Sequence, residues 1–364
     1  MAPSLRVRSF MVNRMNTLRT AYRLVALGFP MALITACGGG GGDTSGTTEG
    51  TGSAVYAPAA VYALMDPGES SSSMSQYAAM TSVDGLAYRA RWRDLEPTEG
   101  RYNWTELDAA FDAVQTRSKR LTVHIGASAG AWPDWLASAG AVTYSYAGPL
   151  GQVSDPLPWD GVFLTRYDNF VAALAAHIRS RGNMGSLNAI SVGAPVSEMS
   201  LPACQNNLLG GFAYSRTSYL SAWAAAIGSY RNRFDAANVL VSAPVSVICR
   251  PDNDGSAFYS AVMTAALTTS SNLAIFAADL NAQGSSRVSQ LEPALRQRLG
   301  IKLQTIWSAT NDPSNRMAGT LQDAVCQGLR LGAGYLEIYK SDLSSSDAAI
   351  RAAIDTARTG RSCT

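Results

Sequence analysis

Two glutamates with unusual neighbours are the first candidates for chemistry. Glu198 lies in the stretch APVSEMSLP, which holds no other charged residue. Apolar surroundings raise the pKa of a carboxyl group, as a proton donor requires. Glu337 lies in GAGYLEIYKSDL, where alternation along a strand places Tyr335, Glu337 and Tyr339 on one face. Two such carboxyl groups can divide proton donation and nucleophilic attack between them.

The elements that must position these residues follow a repeating order of strand, turn and helix. Eight short apolar runs rich in β-branched and aromatic residues predict strands at 59–65, 85–92, 120–127, 187–194, 238–245, 272–280, 301–309 and 333–340. Helical periodicity predicts helices at 104–117, 162–181, 217–234, 256–269, 288–299, 316–331 and 345–358.

This alternation predicts an α/β protein, a single-domain (β/α)8 TIM barrel over residues 55–364. An open doubly wound sheet is the alternative, but no glycine-rich phosphate loop follows the first predicted strand. In a barrel the site lies at the carboxyl ends of the strands. Closure makes strands eight, one and two neighbours, so Glu337 can meet Arg89 and Arg91. Glu337 is then either a nucleophile that arginine keeps ionised or one member of a structural ion pair that closes the barrel.

The stretch RWRDLEPTEGRYNW (91–104) resembles the second barrel segment of clan A glycoside hydrolases of the β-galactosidase and cellulase types. Three further features agree with this resemblance. AWPDWL (131–136) follows the third predicted strand, Pro158-Trp159-Asp160 precedes a helix, and Glu198 follows strand four. The resemblance covers about residues 58–245, and the remainder matches by barrel layout.

The resemblance implies a glycoside hydrolase that uses two carboxyl groups. In this clan the general acid/base follows strand four, which assigns that role to Glu198. The clan's nucleophile ends strand seven, but here that strand ends IKLQTIWSATND without a glutamate. Glu337 is therefore the candidate second carboxylate, with Asp279, Asp312 and Asp66 as further candidates. A partner across the barrel suits the separation of an inverting enzyme, roughly 6.5–9.5 Å, better than about 5–5.5 Å for a retaining one.

Aromatic and polar side chains near the predicted mouth are candidates for binding sugar, because C–H faces of sugars pack on aromatic rings. The predicted substrate-binding residues are Arg91, His124, Trp132, Trp135, Trp159, Trp307, Tyr335 and Tyr339. The alternatives are that the tryptophans form a lid or core and that His124 is a hydrogen-bonded core residue. Glu96 and Glu99 are expected to be scaffold, because carboxylates near a helix start accept backbone N–H groups.

The amino-terminal segment is predicted to be a leader. Residues 1–36 contain five arginines and no acid, and they include the apolar run LVALGFPMALITA (24–36). The end of this run resembles the lipobox of bacterial lipoproteins, which implies lipidation of Cys37 and anchoring, by resemblance, in a Gram-negative outer membrane. An ordinary signal peptide is the alternative. Residues 37–54, rich in glycine, serine and threonine, are predicted to be a tether.

Charge and cysteines limit the function classes. Without the five leader arginines, 24 of the 29 basic residues remain against 27 acids, and no basic run occurs, which argues against a nucleic-acid partner. Four cysteines beyond Cys37 favour disulfides, with Cys204–Cys249 and Cys326–Cys363 preferred because the barrel brings those segments together. Zinc is the weaker alternative, since no two cysteines are close in sequence. No metal or cofactor is expected.

We therefore predict an exported, membrane-tethered glycoside hydrolase, monomeric, acting on a poly- or oligosaccharide. The main alternative is an inactive barrel that binds glycan or assists surface-polysaccharide assembly. A hydrolase or lyase acting on another polymer is a third hypothesis. Arginines near the predicted mouth, Arg89, Arg91 and Arg93, are compatible with uronic acid substrates.

Overall fold

The computed structural model describes residues 55–127, 130–148, 151–193, 212, 215–244, 260–261, 263–264 and 272–363. The barrel belongs to one compact unit, Thr51–Thr364. Glu198, Cys37, Cys204 and Cys249 lie outside the described residues, as do the leader, the tether and most of the predicted helix 256–269.

Ten strands are described. They are β1 (Ala60–Met65), β2 (Gly85–Arg91), β3 (Arg120–Gly126), β4 (Thr143–Gly148), β5 (Gly151–Pro156), β6 (Leu187–Ser191), β7 (Leu240–Pro244), β8 (Leu273–Leu280), β9 (Gly300–Thr305) and β10 (Ala333–Ile338). Eight of them close a parallel barrel in the order β1-β10-β9-β8-β7-β6-β3-β2, while β4 and β5 form a separate antiparallel hairpin. The predicted barrel is confirmed, and the doubly wound alternative is wrong because β1 pairs with both β2 and β10.

Eleven α-helices are described. They are α1 (Ser71–Ala79), α2 (Trp92–Leu95), α3 (Thr105–Gln115), α4 (Trp135–Ser138), α5 (Gly161–Ser180), α6 (Arg216–Phe234), α7 (Ser286–Ser289), α8 (Pro293–Arg296), α9 (Leu321–Arg330), α10 (Lys340–Leu343) and α11 (Ala348–Thr359). The predicted helix 288–299 is instead two short helices, α7 and α8, separated where Pro293 starts the second. None of the helices in the described part of the chain is long and apolar enough to cross a membrane.

The strands divide their side chains between two environments. Outward side chains such as Val61, Val123 and Leu336 pack with the helices in the main apolar core. The inward side chains Tyr62 and Tyr335 form a small separate cluster within the barrel. This division follows from the two-residue period of a strand. It leaves the carboxyl end of the interior to polar side chains.

The two ends of the barrel unit meet. The backbone N–H of Tyr56 donates to the carbonyl of Gly360 at 2.8 Å, and that of Ala59 donates to Ala357 at 2.8 Å. A disulfide between Cys326 in α9 and Cys363 fastens the carboxyl-terminal end, and it is the second of the two pairs that the sequence favours. The amino-terminal approach to β1 is therefore fixed against α11.

Candidate active site

Glu337 lies inside the barrel near the end of β10, and its side chain is fully inaccessible to solvent. Its Oε1 accepts a hydrogen bond from the Tyr335 hydroxyl at 2.7 Å and lies 2.6 Å from His124 Nε2. Its Oε2 lies 3.9 Å from Nη2 of Arg89. Among the described residues no group donates a hydrogen bond to this second oxygen. One oxygen of the carboxylate is thus held in place and the other is not.

Strand register brings this cluster together. Arg89 on β2 is paired in register with His124 on β3, and Gln304 on β9 is paired with Glu337 on β10. Each of the four lies within two residues of the carboxyl end of its strand. That end is where (β/α)8 enzymes carry their active sites. The predicted contact between Glu337 and an arginine of strand two is present, and the arginine is Arg89.

The electrostatic balance keeps Glu337 ionised. Burial alone would raise the pKa of Glu337, but the neighbouring His124, Arg89 and Tyr335 outweigh burial and lower it. Burial lowers the pKa of His124, although Glu337 opposes that shift. The histidine is therefore neutral near pH 7 and donates its Nε2 proton to the carboxylate. A structural role and a role in chemistry are both compatible with this pair.

Lys302 lies on β9, two residues before Gln304, and its side chain is also inside the barrel. It was not among the residues predicted for the site. Its ammonium group is buried, 3.7 Å from the centre of the Tyr335 ring and 3.3 Å from Thr122 Oγ1. Burial lowers the pKa of Lys302 to about 7, partly opposed by the charge of Glu337. The alternation of Lys302 and Gln304 in IKLQT was the available signal, because it places both side chains on the inward face of a strand.

The accessible wall above the cluster comes from the segments that follow β9 and β10. The rings of Trp307 and Tyr339 lie 6.1 Å apart, and the Arg316 guanidinium lies 4.6 Å from the centre of the Trp307 indole. The Trp307 Nε1 donates to the carbonyl of Asn311 at 2.8 Å. The predicted binding residues Trp307 and Tyr339 therefore do lie together at the mouth, beside Arg316.

A buried aspartate fixes this wall. Asp342 in α10 is inaccessible and accepts hydrogen bonds from Ser308 Oγ at 2.8 Å and from the backbone N–H groups of Ala309 and Thr310 at 2.9 and 2.7 Å. The Thr310 hydroxyl adds a fourth bond at 2.7 Å. The segment directly after Trp307 is thus tied to the helix after β10. No sequence motif had drawn attention to Asp342.

The predicted tryptophans of the third loop contact the scaffold. Trp132 is 8% exposed, and its Nε1 donates to the Ser154 carbonyl of the hairpin at 2.7 Å. Trp135 donates to the carbonyl of Glu96 at 3.0 Å. Trp159 is partly buried against the core and meets Tyr219 edge to face. Sugar contacts by these three rings stay predictions.

Arg91, another predicted binding residue, is the last residue of β2 and is half-exposed. Its Nε lies 2.5 Å from the Asp94 carboxylate, so its charge is already paired. The nearby turn is scaffold, as the sequence indicates. Glu96 is buried, and its two oxygens accept from Trp92 Nε1 and from the backbone N–H of Gly100, each at 2.8 Å. Glu99 forms a surface ion pair with Arg166 at 3.0 Å.

The other carboxylate candidates hold loops or lie at the surface. Asp279 accepts from the Ser285 and Ser286 hydroxyls at 2.5 and 3.0 Å, at the start of α7. Asp312 accepts from the backbone N–H groups of residues 316 and 317 at 2.8 and 2.7 Å. Asp66 is exposed and lies 3.3 Å from Lys340. In the described ranges, no three histidine, cysteine or acidic side chains are grouped as a metal site.

Comparison with known proteins agrees with this architecture. The glycoside hydrolase family 42 model, described as β-galactosidase, matches residues 73–141. The catalytic domain of a β-amylase from Paenibacillus polymyxa superposes with a TM-score of 0.58 at 10% identity, over 83% of this chain and 98% of that one. An exo-β-1,4-mannosidase from Opitutaceae bacterium strain TAV5 gives 0.49 at 15% identity, over 84% of this chain and 60% of that one, which is too low to add to the fold assignment. No curated protein matches the sequence.

The family match runs from within α1 to just past α4, which includes Arg89, His124 and the scaffold turn. The structural match covers most of the chain and shows the fold. The chain is thus a closed (β/α)8 barrel, and its segment 73–141 is similar to the β-galactosidase family model.

Proposed function

We propose that this protein hydrolyses glycosidic bonds of a poly- or oligosaccharide at the carboxyl end of its barrel. One observation carries the proposal: the ionised, buried carboxylate of Glu337, whose Oε1 is fixed by two donors while Oε2 has no donor among the described residues. Buried polar atoms without a partner are uncommon in stable interiors and concentrate at functional sites. The family match to β-galactosidase supports the same reaction class.

In this proposal Glu337 is the second carboxylate and Oε2 is its reacting atom. The hydrogen bonds from Tyr335 and His124 fix the plane of the carboxylate, and the lone pairs of Oε2 stay available. Arg89 covers Oε2, and its only hydrogen bond among the described residues is to Gln304. A bound sugar that displaces the guanidinium would therefore reach Oε2. If Oε2 attacks the anomeric carbon as the protonated leaving oxygen departs, a covalent glycosyl-enzyme forms, and its hydrolysis by water gives net retention of configuration. If Glu337 instead activates a water for direct displacement of the leaving oxygen, configuration is inverted.

Glu198 is the proposed general acid/base. It lies outside the described residues, and the proposal rests on its sequence position after the fourth barrel strand, β6, and on its uncharged neighbours. Its role is to protonate the leaving oxygen while Glu337 acts on the opposite side of the bond.

Gln304 favours a second candidate function, glycan binding without hydrolysis. The seventh barrel strand, β9, presents this uncharged amide to the interior, where a carboxylate would be needed for a nucleophile on that strand. Full burial of Glu337 also favours binding without hydrolysis, because a nucleophile must be reached by the substrate. A barrel of this kind would bind glycan or assist surface-polysaccharide assembly.

Export and anchoring are also part of the proposal. The arginine-rich leader, the lipobox-like end at Cys37 and the glycine-rich tether support an exported barrel held at the outer membrane by lipid. Labelling cells with a radioactive fatty acid tests this. We expect label on the wild-type protein and none on Cys37→Ala, and unlabelled wild-type protein would remove the anchor from the proposal.

The experiment for hydrolysis measures new reducing ends on plant, bacterial and exopolysaccharide glycans. We expect wild type to cut at least one, and Glu198→Gln and Glu337→Gln to lose about a hundredfold or more. Glu292→Gln is the matched control, because this exposed carboxylate before α8 makes no side-chain capping bond. Activity retained by Glu337→Gln would remove Glu337 from the mechanism. Binding of a glycan without any cleavage would favour the second candidate.

A further inference from the structure

We infer that the mouth beside β9 and β10 is a subsite for an anionic sugar, in which Arg89 and Arg316 bind a carboxylate or sulfate group of the glycan. The inference rests on the proposed function only in that the glycan occupies this mouth. It specifies the substrate class, which neither the fold nor the reaction type does.

Arg89 has more hydrogen-bonding capacity than its neighbours use. A guanidinium carries five N–H donors, yet in the described part of the chain Arg89 donates only to Gln304 and approaches Glu337 at 3.9 Å. Its Nε is buried and lacks an acceptor there. The side chain is 31% exposed, so an incoming group can reach it. A partly desolvated guanidinium with open donors is suited to an anion.

In the part of the barrel that the structure describes, Arg89 shares its nearest carboxylate with other groups. Glu337 also accepts from Tyr335 and His124, and its charge acts on Lys302. A single negative charge therefore serves Arg89 and, when protonated, Lys302.

Arg316 supplies a second cation from the rim. It is exposed, it stacks 4.6 Å from the centre of the Trp307 ring, and it forms no ion pair within the described ranges. The Asp312 carboxylate accepts from its backbone N–H, which fixes the turn that carries it. Stacking on the indole orders the guanidinium before any ligand arrives.

Tyr339 links the surroundings of the two arginines. Its ring lies 6.1 Å from the ring of Trp307, on which Arg316 stacks at 4.6 Å. It follows Glu337 by two residues, and Glu337 lies 3.9 Å from Arg89. Burial raises the pKa of the Tyr339 phenol, and the charges of both arginines oppose that rise. Lys340, which begins the helix after β10, already pairs with Asp66 and Glu69.

The chemistry of this arrangement discriminates against neutral sugars. A carboxylate or sulfate accepts charge-assisted hydrogen bonds from guanidinium groups in paired geometry. A neutral hydroxymethyl group at the same place would offer Arg89 one uncharged oxygen instead of two charged ones, so at least one desolvated donor would stay unpaired. The aromatic faces of Trp307 and Tyr339 would contact the C–H surface of either sugar, so charge decides between them.

The test is calorimetric binding to the full-length protein. The probes are oligogalacturonate, oligomannuronate and oligoglucuronate, each beside its carboxyl-reduced neutral form, and a sulfated galactan oligosaccharide. We expect one acidic probe to bind about tenfold or more tightly than its neutral form, and the affinity to fall with salt. Arg316→Gln and Arg89→Gln should weaken the acidic probe about tenfold and leave the neutral form unchanged. Arg351→Gln, at an exposed position on α11, is the matched control.

The outcomes distinguish a carboxylate ligand from a sulfate ligand, and they distinguish failure of the anionic subsite from failure of the proposed hydrolysis. Preference for the sulfated probe with the same arginine dependence supports the subsite with sulfate as its ligand. Equal binding of an acidic oligomer and its neutral form, loss of both forms in the arginine variants, or no binding by any acidic probe overturns the inference. Cleavage of a neutral glycan without arginine dependence keeps the proposed hydrolysis and removes this subsite. Arginine-dependent binding without cleavage keeps the subsite and removes hydrolysis.

Discussion

Glu96 and Glu337 are two buried glutamates in one barrel with opposite environments. The two oxygens of Glu96 accept from two neutral N–H groups, and burial still raises its pKa. Burial acts on Glu337 in the same sense, but His124, Arg89 and Tyr335 lower its pKa, and its Oε2 has no donor among the described residues. A scaffold carboxylate is thus satisfied and tends towards neutrality, whereas the candidate catalytic one is charged and incompletely satisfied.

Asp342 extends the comparison. It is as inaccessible as Glu337, yet four donors from residues 308–310 surround its carboxylate. Burial by itself therefore does not distinguish the two roles. The number of donors and the charge of the neighbours do.

The largest effect is expected from exchanging each glutamate for its amide. Glu337→Gln should lower glycan turnover about a hundredfold or more, because the reacting oxygen loses its charge. Glu96→Gln should keep turnover and lose about 1–3 kcal/mol of unfolding free energy, because its NH2 faces an N–H donor. Initial rates and urea denaturation measure the two effects. Similar activity losses in both variants would contradict the division of roles.

The second-largest effect is expected from Asp342→Asn, which should lower the stability of the protein. The amide nitrogen would meet N–H and O–H donors, so we expect a loss of about 2–3 kcal/mol in the free energy of unfolding. Asp355→Asn, at an exposed position on α11, is the control and should change this free energy by less than about 0.5 kcal/mol. If Asp342→Asn unfolds at the wild-type urea concentration, the four hydrogen bonds do not stabilise the mouth wall.

Lys302 gives a smaller, pH-dependent effect. Its pKa is lowered from 10.5 to about 7, so above pH 7 the native protein binds fewer protons than the unfolded chain. Native stability should therefore rise with pH between these two values, by about 1 kcal/mol per pH unit. Lys302→Met should remove that rise in urea denaturation followed across the range. An unchanged slope in the variant would assign the rise to another group.

The smallest expected effect is on the pH dependence of stability. The contributions of Glu96 and Glu337 to the free energy of unfolding should change with pH in opposite directions. The contribution of Glu337 is present above the usual pKa of 4.5 and is lost as pH falls through its lower native pKa. That of Glu96 is present below 4.5 and is lost as pH rises through its higher native pKa. Urea denaturation from about pH 3 to about pH 7, of wild type beside each Gln variant, measures both. Slopes of the same sign would show that the environments do not differ as described.

The sequence predicted the eight barrel strands because each is a short apolar run with clear turn residues. Their ends were less accurate: the run 301–309 continues in sequence as apolar residues, but β9 ends at Thr305 and the following segment is held by Asp342. Helix α1 was missed because SSSMSQYAA reads as a loop, although Ser70 caps it and Met74 is buried. The hairpin β4–β5 was missed because it lies within a loop region.

The sequence predicted which strands carry the site residues and which face of each strand they occupy. It did not predict most of the contacts between those residues. Alternation identified the face that carries Tyr335 and Glu337, and closure suggested an arginine from β2. The contact between His124 and Glu337 could not be predicted, because it joins two strands that are not adjacent in the barrel. Lys302 and Gln304 were overlooked because a polar residue in a strand is usually solvated. Only the closed sheet places both inside.

The backbone hydrogen bonds that join Tyr56 and Ala59 to the carboxyl-terminal end have a mechanical consequence. A pull on the chain before Tyr56 first loads the two backbone hydrogen bonds to Gly360 and Ala357. To go further, the force must slide β1 lengthwise from between β2 and β10, so the hydrogen bonds of both ladders bear load together. The disulfide at Cys363 keeps the opposing end from peeling away. The barrel is therefore loaded in shear from this side, the direction in which a sheet resists force best.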